Sequence, residues 1–154
     1  MDAVTSVSRQ ELINRTRRQL GELFRAAGPG PVPEGRGRGV VLLGTGGVVA
    51  RAAAAISYAL LWRGKIIDPK AGRLKNLLGP TSFPAIVAVV YPDKSWYDGE
   101  PCVVLDYSKT SFVAKAIRDE IRQVSPGLYL GVVFLAGRHV LDFALDFTGR
   151  RGKT

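Results

Sequence analysis

Asp106, Tyr107, Arg118, Asp119, Glu120 and Arg122 lie close together in the second half of the chain, and all are residue types that move protons or orient polar groups. On β-strands, adjacent side chains point to opposite faces. One member of Asp106/Tyr107 and one of Asp119/Glu120 should therefore face the inside of any curled sheet. A carboxylate held there must be paired or carry a raised pKa. Beside an inward Arg or Tyr it can orient a polar ligand group or act as general acid or base. Asp106, Asp119 and Glu120 are thus the candidate catalytic residues if the protein is an enzyme, with Tyr107, Tyr129 or Arg118 as orienting donors. The same residues also fit a ring of surface salt bridges at a barrel rim. The sequence leaves both readings open.

Other constellations are weaker. Val40-Val41-Leu42-Leu43-Gly44-Thr45-Gly46-Gly47 followed by an alanine-rich stretch has the shape of a strand, a glycine turn and a helix, with Asp68 at the distance of a ribose-binding acid. Val49 stands where the third glycine of that phosphate cradle belongs, so a turn leading into a core helix fits better. His139, the only histidine, sits at a turn beside Gly137-Arg138 without an acid at motif spacing, and alone it makes no metal site. Cys102 lies in an apolar strand and reads as an inert buried thiol. Ser108 and Ser111 lack a nucleophile-elbow context. Neither a metal nor a cofactor is expected.

The elements that must position these residues are mainly short strands. Between Asp98 and Phe147 apolar runs recur at close spacing, broken by turn residues, as in an antiparallel sheet that curls on itself. Strands are expected at Val40–Leu43, Lys65–Ile67, Ala85–Tyr91, Cys102–Tyr107, Glu120–Val124, Leu128–Leu135 and Val140–Phe147. The last alternates with a period of two. Pro126-Gly127 fits the centre of a type II turn. Arg73–Leu78 reads as a loop or short helix, Pro92–Lys94 as a turn, and Ser111–Ala116 as a short helix. Val49–Leu61 reads as an apolar helix inserted between strands. Ahead of the strands, Ser8 and Glu11 form a capping box that opens one amphipathic helix ending at Gly28-Pro29, with Leu12, Ile13, Leu20, Leu23, Phe24 and Ala27 on its apolar stripe. Gly28–Gly39, rich in Gly and Pro, reads as a loop.

At 154 residues and 46% hydrophobic, the chain suits one globular unit with a real core. The expected organisation is a helix over 1–28 packed on the body, a barrel over 39–147 and a basic tail over 148–154. One cysteine excludes an internal disulfide framework and suits a reducing cytosol. The N-terminus lacks an apolar signal region, and Gly46–Trp62 falls short of the roughly 20 residues of a membrane span, so a cytoplasmic protein is expected. The net charge of +9 is concentrated between residues 51 and 80, where Arg51, Arg63, Lys65, Lys70, Arg73 and Lys75 face Asp68 alone. Such a face beside the apolar helix could touch an anionic membrane, although the helix has few polar residues and suits burial better. Nucleic-acid binding is not expected: the arginines of the N-terminal helix lack interleaved aromatics, and the two arginines of Gly35–Gly39 are too few to contact RNA. The sequence does not decide oligomeric state.

Trp62, Tyr91, Tyr107, Arg118, Tyr129 and Phe143 are the candidate ligand-lining residues, because a barrel of about eight strands has room for one small molecule. Trp62-Arg63-Gly64-Lys65, Asp98-Gly99-x-Pro101, Leu105-Asp106-Tyr107, Leu130-Gly131-Val132 and Phe143-x-Leu145 look like elements of small lipocalin-like (calycin-type) β-barrel proteins of bacteria. In particular they are similar to domains with a Trp-x-Gly-Lys strand. The resemblance covers roughly Gly39 to Phe147. It implies a closed antiparallel barrel holding an apolar small molecule, and it carries no catalytic residue over. The expected fold is α+β, mainly antiparallel β. The expected function is binding or carriage of a lipophilic small molecule. A cofactor-free cyclase, isomerase or hydrolase acting on an apolar metabolite is the alternative.

Overall fold

In a computed structural model, which describes residues 6–44, 62–112 and 114–150, the sheet closes completely. Its strands are β1 (Gly35–Leu42), β2 (Trp62–Asp68), β3 (Arg73–Leu78), β4 (Phe83–Lys94), β5 (Pro101–Asp106), β6 (Ile117–Ser125), β7 (Leu128–Leu135) and β8 (Arg138–Asp146). Each pairs antiparallel with the next, and β8 returns to pair with β1. Closure leaves no unpaired edge. The turns after β2, β4 and β6 lie at what we term the lower end. The turns after β3 and β7 and the β5–β6 connection lie at the upper end.

Both faces of β7 are apolar, and the reason is a second layer. Tyr129 and Val133 point inward, whereas Leu128, Leu130, Val132 and Phe134 pack outside against Leu12, Leu20 and Phe24 of the N-terminal helices. Burying each such side chain contributes about 1.5–3 kcal/mol. The N-terminal segment is two helices rather than the one expected: α1 (Arg9–Asn14) and α2 (Arg17–Ala26). Thr16 is the cause, because it caps Gln19 N–H while Gln19 caps Thr16, a second capping box immediately after the first.

Other local expectations give way to tertiary packing. Gly35–Gly39 is strand, not loop. Gly37 and Gly39 face inward under the rings of Phe147 and Trp62, where a Cβ would come within about 2.5 Å of ring carbons. The glycines are there to admit aromatic rings. Arg73–Leu78 is a full strand with Leu74, Asn76 and Leu78 inward. Pro92–Lys94 continues β4, and the turn falls at residues 95–100. The described residues of 111–116 form turns held by Ser111 Oγ on Ala114 N–H, not a helix. Pro126-Gly127 turns as expected, with Gly127 at φ +76°. The apolar helix at 49–61 lies outside the described residues, as do Gly46 and Val49 of the phosphate cradle. β1 and β2 pair antiparallel, so 39–68 is not a parallel βαβ unit. Asp68 accepts from the N–H groups of Lys70 and Ala71 and closes the β2–β3 turn.

Candidate functional site

The barrel interior is apolar at its lower end, with Ile67, Leu74, Val90, Val103, Ile121 and Leu145 in one buried cluster. Towards the upper end it holds four polar side chains in mutual contact: Lys65, Asn76, Tyr107 and Asp119. Lys65 is 1% exposed and shares the inner face with Ile67, two residues along β2, and a bulge brings Trp62 to the same face. Strict alternation would separate Trp62 from Lys65 and Ile67. The register shift between Trp62 and Gly64 places all three on one face.

Lys65 Nζ donates to Asn76 Oδ1 at 2.7 Å and to the Tyr107 hydroxyl at 2.6 Å, and it forms an ion pair with Asp119 Oδ2 at 3.0 Å. Asn76 Nδ2 donates to the Tyr107 oxygen (2.8 Å) and to the carbonyl of Ile86 (2.9 Å), while its Oδ1 also accepts from Trp62 Nε1 (3.2 Å). The Tyr107 hydroxyl donates to Asp119 Oδ2 across a longer 3.4 Å. The lysine ammonium lies 5.3–5.6 Å from the ring centroids of Trp62, Tyr107 and Phe143, close enough for cation–π attraction. Burial raises the Asp119 carboxyl above its ordinary value, and the Lys65 charge opposes that rise without cancelling it. Burial, then the Asp119 charge, pushes the Tyr107 phenol well above 10.0.

The backbone is strained beside this network. Ile86 has φ +49°, where a β-branched side chain crowds its own backbone. It is bulged out of the β3–β4 ladder, in which Lys75 pairs with Val87 and Asn76 with Ala85. The Ile86 carbonyl thus freed is the one that Asn76 binds.

The residues singled out from sequence separate into three groups. Trp62, Tyr107, Asp119 and Phe143 meet at the interior network. Tyr129 is also inward but at the lower end, donating from its hydroxyl to the Pro31 carbonyl at 2.6 Å. Asp106, Tyr91, Arg118 and Glu120 are on the outer face. The Tyr91 hydroxyl donates to Asp106 at 2.8 Å, and burial with that carboxylate pushes the phenol up to about 12. Glu120 accepts from Ser95 Oγ (2.6 Å), Trp96 N–H (2.8 Å) and Arg118 Nη2 (3.0 Å), fastening the β4–β5 turn to β6. Arg122 places all five N–H bonds, on both oxygens of Asp98 and on the carbonyls of Phe24, Glu100 and Pro101. It ties α2 to the same turn.

Two members of the interior network, Lys65 and Asn76, were not among the sequence candidates. By sequence Lys65 belongs to the basic face with Lys70, Arg73 and Lys75, and Asn76 to a loop or short helix. The signal available was the burial partner Ile67, two residues from Lys65 on a strand. His139 does have an acid: its Nε2 lies 2.6 Å from Asp142 Oδ1 on the outer face, because Val140 is bulged and restores the two to one side. Among the described residues no three His, Cys, Asp or Glu side chains cluster as metal ligands, and no helix is long and apolar enough to cross a membrane. Cys102 is buried under the β4–β5 turn, where burial and then the Glu120 charge push its thiol up to about 12.

No family profile matches this chain, and no curated protein does. A crystal structure of a protein from Thermomonospora curvata is similar to it, with a TM-score of 0.60 at 22% identity, over 86% of this chain and 88% of the other. At that identity the likeness speaks to the fold.

Proposed function

We propose that this protein binds a lipophilic small molecule inside its barrel, in the manner of lipocalin-like proteins, with the Lys65–Asn76–Tyr107–Asp119 network as the polar anchor. The observation that carries the reading is a buried ion pair, bonded to Asn76 and Tyr107, in an interior that is apolar at its lower end. Desolvating two charges costs so much that such a pair is a poor stabiliser compared with apolar side chains of the same volume. Perturbed, mutually bonded ionisable groups in an interior are instead the usual mark of a site. Strain at Ile86, next to the network, supports the same reading, since strained backbone concentrates where function requires it. Phe83, Ile86 and Phe112, exposed at the upper end, offer an apolar approach to the network. The test is saturable binding of the neutral fluorophore 1-N-phenylnaphthylamine, together with native mass spectrometry and solvent extraction of the purified protein. No co-purified molecule and no saturable binding would refute it.

A cofactor-free acid/base enzyme acting on an apolar metabolite is the second reading, and Asp119 favours it. Its raised pKa and its contact with the Tyr107 hydroxyl suit a group that exchanges a proton with a bound substrate. Turnover of any such substrate should be lost in Asp119→Asn while fluorophore binding persists. Unchanged turnover would remove Asp119 from that role.

A further inference from the structure

Hydrogen-bond capacity inside the network is almost fully used, and what remains is of one kind. Lys65 donates to Asn76 and Tyr107, and its charge is paired with Asp119 at 3.0 Å. Both N–H bonds of Asn76 are placed, and its oxygen accepts from Lys65 and Trp62. The Tyr107 oxygen accepts from Lys65 and Asn76, filling its two lone pairs, and its own proton points to Asp119. Asp119 receives both of its contacts on Oδ2. Its other oxygen, Oδ1, accepts no hydrogen bond from any described residue, although the side chain is only 5% exposed. The network therefore has no unpaired charge to offer and one carboxylate acceptor to spare, on the inner face two residues from the upper end of β6.

We propose that the ligand of this barrel is an apolar molecule carrying a hydroxyl, which donates to Asp119 Oδ1, and that carboxylates are rejected in spite of the buried lysine. This rests on the interior-binding reading above and adds the chemistry of the ligand's polar group. A fatty acid would find the Lys65 charge already paired with Asp119 and would set its own charge against that carboxylate. An ester or ketone would bring a second acceptor to an acceptor, leaving both without a proton. A hydroxyl completes the set, and a hydrogen bond to an ionised group is among the stronger kinds.

The experiment titrates the full chain at pH 8 with 1-decanol, methyl decanoate and decanoic acid, following displacement of 1-N-phenylnaphthylamine. We expect 1-decanol to bind at least about tenfold more tightly than the ester or the acid, the advantage of a hydrogen bond to a charged group. Asp119→Asn then inverts the preference. Its amide oxygen stays on Lys65 and Tyr107, which turns the amide N–H bonds to the open position, so methyl decanoate should overtake 1-decanol. Near-ultraviolet circular dichroism establishes whether that variant is folded; if it is not, the wild-type ranking decides by itself. Equal or tighter binding of the acid or ester by the wild type overturns the hydroxyl assignment and leaves interior binding intact. An unchanged ranking in folded Asp119→Asn overturns Asp119 as the anchor. Absence of saturable binding by the fluorophore and all three probes overturns both proposals.

Discussion

Lys65→Met should destabilise the protein by far more than the loss of one surface-type charge. The substitution keeps the volume of the aliphatic stem and removes two hydrogen bonds and one ion pair. Asn76 Oδ1 still has Trp62 Nε1, and the Tyr107 oxygen still has Asn76 Nδ2, so neither is orphaned. Asp119 is different. It would be left in an apolar interior with only the 3.4 Å contact from Tyr107. Breaking a buried ion pair by removing one partner costs ~3–5 kcal/mol. At this chain length that lowers the melting temperature by roughly 10 °C, at about 2–4 °C per kcal/mol. The double variant Lys65→Met/Asp119→Leu removes both charges and should lie well above Lys65→Met alone.

The loss should also depend on pH in a defined direction. Asp119 has a folded pKa raised above 3.8, so the penalty for holding its charge is absent while it is protonated, and grows as pH rises from there through the folded pKa. Removing Lys65 raises that pKa further, because the lysine charge was opposing the shift. The deficit of Lys65→Met should therefore widen from pH 4 towards neutrality and shrink on acidification. Urea denaturation of wild type, both single variants and the double at several pH values reads all of this. Additive single losses, or a deficit that grows on acidification, would refute the coupling.

Three further outcomes are expected. Arg122→Lys keeps the charge but cannot reproduce five directed N–H bonds, and should cost ~2–4 kcal/mol, with α2 becoming protease-sensitive before global unfolding; wild-type urea and proteolysis profiles would show the clamp to be dispensable. The Cys102 thiol, with its pKa pushed up to about 12, should resist a thiol-specific disulfide reagent at pH 8 in native buffer and react at the rate of unfolding in urea; prompt native labelling would contradict the burial. Gly39→Ala puts a methyl carbon into the Trp62 ring and should cost ~1–3 kcal/mol, with a shift in tryptophan emission; an unperturbed spectrum and midpoint would mean that the ring does not lie on Gly39.

Much of the barrel was legible because local and global preferences agree. β8 alternates from Leu141 onward, past the bulge at Val140, and Leu128–Leu135 has strand bounds that coincide with those expected. Strands escaped recognition where tertiary partners override composition. Gly35–Gly39 reads as loop until the rings of Trp62 and Phe147 are placed over its glycines. Arg73–Leu78 carries three polar residues in six, and only closure of the sheet explains why Asn76 turns inward among apolar neighbours. The break at Thr16 was visible in principle, since Thr16 and Gln19 repeat the spacing of Ser8 and Glu11.

The sequence by itself determined a chain of short antiparallel strands with an amphipathic N-terminal segment, because apolar spacing and turn residues act over a few neighbours and can be read locally. It also marked Trp62, Tyr107, Asp119 and Phe143 as worth attention by residue type. The tertiary structure alone decided which face each carboxylate occupies. Asp119 turns into the barrel, while its neighbour Glu120 turns out to hold the β4–β5 turn. It also moved Lys65 from an expected basic surface to the centre of the interior. The physical reason is that alternation fixes only which side chains share a face, while closure of the sheet decides which face lies inside; the bulge at Trp62/Gly64, with Gly64 at φ +135°, adds Trp62 to the face of Lys65 and Ile67.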